Sequence, residues 1–228
     1  GRCPGCGGRP PSHGGPAAGM ADAEAPARFG PYVRGRELGR GASGTVYLCE
    51  LRSAAGAAKG SVVPSPATFA AKAIDLRRLR LSARAGRELK KLQREARILK
   101  RIPPHENVVR FIDSLEEGSW FFFVLEFVGG GDLFSALVRR PTAAARRPRF
   151  RDAEVLHVLR QLVEGLDFLH NHGVIHRDLK LENILVVRQR KHGSNVLCDV
   201  KITDFGLSKI VGDGCSLAHS TVGSPRYI

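Results

Sequence analysis

The chain has 228 residues, 43% of them hydrophobic, with 36 Lys and Arg against 22 Asp and Glu and a net charge of +14. That apolar content suffices for one domain with a sizeable core. Five irregularly spaced cysteines exclude a disulfide scaffold, and no apolar run approaches the ~20 residues that cross a bilayer.

The basic excess is local. Residues 76–101 hold eleven basic and two acidic residues, and 139–151 hold six basic and none acidic. No stacking-aromatic motif accompanies either stretch, so both read as solvated faces and nucleic-acid binding is not expected. The odd cysteine count and the lack of a signal-peptide core favour a reducing location, in the cytoplasm or the nucleus.

Residues 1–28 are Gly, Pro and Ala with almost no large apolar side chains, too little to offset their ordering entropy, and a disordered leader is expected. Cys3 and Cys6 form a Cys-x-x-Cys, but without a second pair, and with His13 alone nearby, the four ligands of a structural zinc site are not met. Met20, the single methionine, is read as a translation start inside this leader.

Strand, glycines and strand follow: Tyr32 to Leu38, then Gly39-Arg40-Gly41-Ala42-Ser43-Gly44, then Thr45 to Leu48. A dinucleotide turn would open a helix here. Thr-Val-Tyr-Leu-Cys is β-branched and aromatic instead, so the glycines cap a hairpin. Residues 52–68 read as a surface loop before a strand, Phe69 to Ile74, that carries Lys72. In the basic stretch that follows, Leu92, Glu95, Leu99 and Ile102 recur at helical spacing and share one face. Glu95 is thus a carboxylate on a buried stripe that needs a cation, and Lys72 is its natural partner.

Residues 108–113 and 119–128 form the next hairpin, with Phe121-Phe122-Phe123 as core packing. Gly129 to Gly131 make a break, and Asp132 caps a short helix to about Arg139. After the arginine-rich insertion, Asp152 is expected to cap a helix burying Val155, Leu159, Leu162, Val163, Leu166 and Leu169. Runs at Val174-Ile175 and Ile184 to Val187 bracket a polar loop with Asp178, Lys180 and Asn183. A lengthened loop, Arg188 to Cys198, then leads to Val200–Thr203 and Asp204. Oxygen ligands, a cation and a candidate base therefore sit together, a set suited to metal ions and a polyphosphate.

His176-Arg177-Asp178 with Asn183, and Asp204-Phe205-Gly206, match H-R-D-x-x-x-x-N and D-F-G. With the glycine hairpin, Lys72 and Glu95 they make five motifs in order over Tyr32 to Ile228, and the chain resembles the eukaryotic protein kinases. HRDLKLEN, DFGLSK and GSPRY are most similar to the calcium/calmodulin-dependent and AMP-activated group, although Leu181 replaces the commoner proline.

The resemblance implies an α+β, two-lobed fold. A small β-rich lobe and hinge would occupy 29–128, and an incomplete helical lobe ending in the activation segment 129–228. It implies ATP and Mg2+ as cofactors and proteins bearing Ser or Thr as substrates. Leu38, Gly39, Arg40, Gly41, Ala42, Ser43, Gly44 and Thr45 would cover the nucleotide; Val46, Ala70 and Leu185 would sandwich the adenine, with Leu125 as gatekeeper. Glu126 and Val128 would offer it backbone groups. Lys72 would steady the phosphates, paired with Glu95. Asp178 would take the substrate proton, Lys180 would neutralise developing charge as in serine/threonine kinases, and Asn183 and Asp204 would hold the metal.

Phe205 would pack with Leu99, Phe111 and His176. Ser220 or Thr221 would carry an activating phosphate read by Arg177. Glu182 and Asp132 would select basic residues upstream of the acceptor. Because the pattern stops before A-P-E, the chain is expected to be a fragment with little transfer activity, or else a short binding or decoy module.

Overall fold

The computed structural model describes residues 24–41, 44–52, 67–77, 85–140, 149–204 and 209–210. Six antiparallel strands form one sheet in the order β1-β2-β3-β4-β6-β5. They are β1 (Arg28–Phe29), β2 (Tyr32–Gly41), β3 (Gly44–Leu51), β4 (Thr68–Asp75), β5 (Phe111–Glu117) and β6 (Trp120–Glu126). Helix α1 (Ala85–Leu99) follows β4. The second lobe holds α2 (Leu133–Val138), α3 (Asp152–Asn171), the hairpin β8 (Ile184–His192) and β9 (Asn195–Ile202), and the short pair β7 (Val174–Ile175) and β10 (Lys209–Ile210).

Strand alternation sends the sheet's side chains two ways. Tyr47, Cys49, Ala71, Ala73, Phe122 and Val124 form one buried face. Over it lie Ala25, Phe29 and Tyr32, with the Phe29 ring stacked 4.0 Å from that of Phe122. The ordered unit therefore begins ahead of the expected boundary at Phe29. Ala25 is buried, and the Arg34 amide donates to the Ala27 carbonyl at 2.9 Å. A single large ring outweighs the loop-like composition around it. Residues 1–23, with Met20 and the Cys-x-x-Cys, lie outside the described residues.

The opposite face meets α1. Phe121 and Phe123 join Ala96 and Leu99, and the same cluster takes in Leu169, Val174 and Ile202 of the second lobe. The lobes share this core because residues 107–109 pair with the end of β9. The Ile202 amide donates to the Asn107 carbonyl at 2.8 Å and the Val109 amide to the Ile202 carbonyl at 2.9 Å. Thus 108–110, expected to open the hairpin, instead tie the lobes together. Leu92, Glu95, Leu99 and Ile102 face inward as expected.

Asp132 caps α2, accepting from the Ser135 amide at 2.7 Å. Helix α3 departs from expectation twice. Asp152 is its first residue rather than its cap; the capping contact is made by Glu154, which accepts from the Arg151 amide at 2.8 Å. The buried stripe runs through Glu154, Val158, Gly165 and Leu169, leaving Val155, Leu159 and Val163 exposed. Gly165 sets that rotation: a Cβ there would lie 3.0 Å from the Asn107 carbonyl oxygen, so this side alone permits close approach.

The expected loop over Arg188 to Cys198 is also absent. Both strands continue through it to a turn at Gly193, whose φ is +58°. Side chains of α3 satisfy the outer edge of β9. Gln161 Nε2 donates to the Cys198 carbonyl at 3.0 Å, and its Oε1 accepts from the Val200 amide at 2.8 Å. Glu154 Oε1 accepts from the Val196 amide at 2.6 Å. A covered edge lets a polar strand pair where its composition alone would not.

Candidate active site

Cross-strand register assembles one wall. Lys72 lies opposite Val46 on one side and Phe123 on the other, while Ala70 lies between Leu48 and Leu125. Directly opposed residues share a face, so Val46, Ala70, Lys72 and Leu125 line the side of the sheet turned toward the second lobe. Gly39 pairs with Val46, Arg40 with Thr45 and Gly41 with Gly44 along the glycine hairpin, and Leu38 is half-buried beside them. Ala42 and Ser43 lie outside the described residues.

The floor comes from the loop between β7 and β8. Asp178 and Asn183 are both buried. Asn183 Nδ2 donates to the Asp178 carbonyl at 2.8 Å and to its Oδ2 at 3.2 Å, and Lys180 Nζ donates to the same Oδ2 at 2.8 Å. That bond pushes the Lys180 ammonium pKa up.

Thr203 clamps the floor to the strand carrying Asp204. Its amide donates to the Asn183 carbonyl at 2.9 Å, and its carbonyl accepts from His176 Nε2 at 2.7 Å. His176 Nδ1 in turn accepts from the Asp178 amide at 3.3 Å. With one nitrogen donating and the other accepting, His176 is neutral, and burial pushes its pKa down. It bridges the Thr203 carbonyl and the Asp178 amide. Arg177 and Asp204 both sit at φ +63°, strained for non-glycine residues and clustered at this one place.

Across the gap, Lys72 Nζ lies 2.6 Å from Asp204 Oδ1, joining residues 132 positions apart. This differs from the expected pairing with Glu95. Among the described residues, Glu95 forms no ion pair within 4 Å, although it is buried beside Lys91 and Lys72. Asp204 takes the ammonium from the end of β9, while Glu95 stays on α1 without reaching it. Burial pushes the Glu95 carboxyl up to about 7, against the pull of Lys91 and Lys72.

A proton held in the folded state up to about pH 7, but released near 4.5 when unfolded, makes folding take up a proton between those values. The stability it contributes is full below about pH 4.5 and drains as pH rises through 7. Glu95→Gln should therefore flatten that dependence and exceed the wild type above pH 7 by about 3 kcal/mol, measured by urea titration at several pH values.

At the join of the lobes, the Glu126 amide donates to the Arg110 carbonyl at 2.9 Å, and its Oε2 accepts from Lys201 Nζ at 2.8 Å. Val128 follows it and is half-buried. Leu185 is half-buried, bridged to Asp132 and opposite Lys201. The backbone at Gly130 presses on the Val186 carbonyl, where a Cβ would come within 2.1 Å. Asp132 spends both carboxylate oxygens on Ser135, whose amide and Oγ each donate at 2.7 Å. Phe205, Ser220 and Thr221 lie outside the described residues.

Sequence reasoning missed Thr203 and Lys201. Thr203 acts through its backbone, which no residue type advertises; Lys201 alternates with buried Val200 and Ile202 and so was readable as facing the cleft.

A family model described as protein kinase domain matches residues 32–228. The chain belongs to the protein kinase family. The kinase is 34% identical over 192 residues to calcium/calmodulin-dependent protein kinase type II of Caenorhabditis briggsae, covering 84% of this chain and 30% of that one. It is 33% identical over 210 residues to the type II alpha chain of Drosophila melanogaster, covering 92% and 34% respectively. With CBL-interacting protein kinase 30 of Oryza sativa subsp. japonica it shares 33% over 202 residues, covering 88% and 36%. The kinase thus spans about a third of the length of these curated relatives. The expected family, its calcium/calmodulin-dependent-like group and the β-rich small lobe are borne out. Among the described residues no helix is long and apolar enough to cross a membrane.

Proposed function

We propose that this chain carries the catalytic centre of a serine/threonine kinase that transfers the ATP γ-phosphoryl group to a protein hydroxyl. The observation that carries the reading is the Lys72–Asp204 contact, which brings a strand lysine of one lobe onto the strand-end carboxylate of the other. The residues fit Mg2+ and a polyphosphate. Asn183 uses its Nδ2 on Asp178 and so keeps an oxygen as ligand, and Asp204 adds carboxylate oxygen, the hard donors such a cation takes. Among the described residues no cluster of three His, Cys, Asp or Glu forms, and Asn183 and Asp204 are the residues that would hold the cation. Gly44, at φ +140° with its absent Cβ 2.4 Å from the Ala73 carbonyl oxygen, keeps backbone at the edge of the cleft where a side chain could not fit.

Bound there, Mg·ATP would supply the transferable phosphoryl group and the positive charge that offsets the phosphates. Asp178 accepts the proton of the substrate hydroxyl and orients it, fixed for that task by Asn183 and by the His176–Thr203 clamp. Lys180 neutralises charge developing beside Asp178, and Lys72 steadies the phosphates, with Glu95 as its second carboxylate. Leu38, Val46, Ala70 and Leu185 enclose the base. Exposed Glu182 selects a basic residue upstream of the acceptor; Asp132, consumed as a helix cap, contributes little.

Titration with Mg·ATP should raise the thermal midpoint of the wild type and not that of Lys72→Ala, and whatever label the chain passes on, little as it is expected to be, should go to a serine peptide with upstream arginine and not to its tyrosine counterpart. Equal midpoint shifts in both proteins, or label on tyrosine alone, would sink the reading.

A further inference from the structure

We infer that the outer face of helix α1 is a docking site for a carboxylate-rich segment of a partner protein. In sequence the basic residues here are only a local excess; winding them into α1 lines them up. Arg87, Lys90, Lys91, Arg94 and Arg97 are all exposed, and helical bonding runs on past Leu99 to exposed Lys100 and Arg101. At 3.6 residues per turn, Arg87, Lys90, Arg94, Arg97 and Arg101 fall within about 80° of the circumference, and the file is about 15 Å long from Arg87 to Arg97. The acids of α1 lie off this file. Glu95 is buried on the inner face, and Glu88 is half-buried in the first turn. The file belongs to the small lobe and turns away from the shared core, so the extent of the helical lobe does not set its exposure.

Like charges fill the neighbouring positions of the file. Lys90 and Arg94, and Arg97 and Arg101, stand at i, i+4, while Arg87 and Lys90, and Arg94 and Arg97, stand at i, i+3, spacings at which cations repel. A row of carboxylates laid along them removes that repulsion and makes charge-assisted, bidentate bonds to the guanidiniums. The surroundings choose among anionic partners. Leu89, Leu92 and Ile98 pack inward, so the outer face lacks the apolar anchors that seat a helix in a membrane surface. Helix α1 has no aromatic residue on which a base could stack. Asp113, 3.3 Å from Lys100, and Glu116, 3.4 Å from Gln93, meet α1 along one flank of the file. A duplex, broader than the file, would overhang those carboxylates, whereas a single acidic chain lies on the cations alone. A second copy would bring its own file of cations to the same face and be repelled. The inference does not depend on the catalytic reading.

The probe is a fluorescein-labelled peptide of about 12 residues rich in Glu and Asp, long enough to span the file whether helical or extended. Its binding to the whole chain is compared by anisotropy with that of its Gln and Asn counterpart. The acidic peptide should bind about tenfold tighter, weaken severalfold as salt rises, and slow hydrogen exchange of the α1 amides but not of the α3 amides. Arg87→Gln with Lys90→Gln and Arg97→Gln should weaken it about tenfold without lowering the thermal midpoint, since all three side chains are exposed. Arg188→Gln with Arg190→Gln and Lys191→Gln removes the same formal charge from the β8–β9 hairpin and should leave affinity within about twofold. Equal losses in the two triple variants would reduce the effect to net charge and overturn the proposal. So would equal binding of the two peptides, no binding, or protection outside α1. A DNA duplex or a phosphatidylserine vesicle that binds more tightly than the peptide, and is lost in the α1 variant, would overturn it as well.

Discussion

Asp178→Asn should lower phosphoryl transfer about a thousandfold, the typical contribution of a positioned base, while leaving Mg·ATP affinity within about threefold. The amide preserves shape, so Lys180 and Asn183 keep an oxygen to donate to, and only the capacity to take a proton is lost. Single-turnover transfer to a serine peptide, set beside nucleotide titration, separates the two effects. If affinity fell as far as rate, Asp178 would be a structural anchor for Lys180 and Asn183, and the catalytic assignment would fail.

The largest stability effect is expected at Glu154. Its carboxylate is 1% exposed and receives the Arg140 guanidinium at 2.7 Å together with the Arg151 and Val196 amides. Burial works against the charge, yet those donors hold its pKa below the usual carboxylate range. Glu154→Ala would strand a largely buried guanidinium and two amides at once, costing about 3–5 kcal/mol in urea unfolding. Glu154→Gln, which keeps an acceptor but not the charge, should lose less. A depressed carboxyl contributes stability that is present above its unfolded pKa and lost as pH falls through the folded value. Acid unfolding of the wild type should therefore begin at lower denaturant than at neutral pH, and that component should vanish in the glutamine variant. An alanine variant within 1 kcal/mol of wild type would show that α2, α3 and the hairpin are not joined through this side chain.

What sequence revealed and concealed follows from the range of the forces involved. Asp178, Asn183 and Asp204 were legible because each lies beside a short β-type run and all three fall in the H-R-D-x-x-x-x-N and D-F-G patterns. Lys72 was legible as a strand lysine facing the cleft, but its resting partner was not. Two carboxylates compete for it, and the outcome depends on where α1 settles, which no residue preference encodes. The α3 stripe failed for a related reason: Leu and Val populate more of the helix than one face can bury, and Gly165 decides which side goes inward. The hairpin over Arg188 to Cys198 read as loop because its residues are polar, whereas its pairing is completed by Gln161 and Glu154 from a distant helix. With Arg151 at the cap position the helix start carries no Ser or Thr to announce a capping box, and neither the Glu154 contact to Arg151 nor that to Val196 was readable.

The Phe29–Phe122 stack bears on how the protein should be handled. The family match opens at Tyr32, and a clone cut to that boundary would strip away Ala25 and Phe29 and leave Phe122 and its neighbours without a roof. Such a shortened product should be prone to precipitate, and expression should start upstream of Glu24, whose carboxylate ties the strap to Arg34 at 2.6 Å.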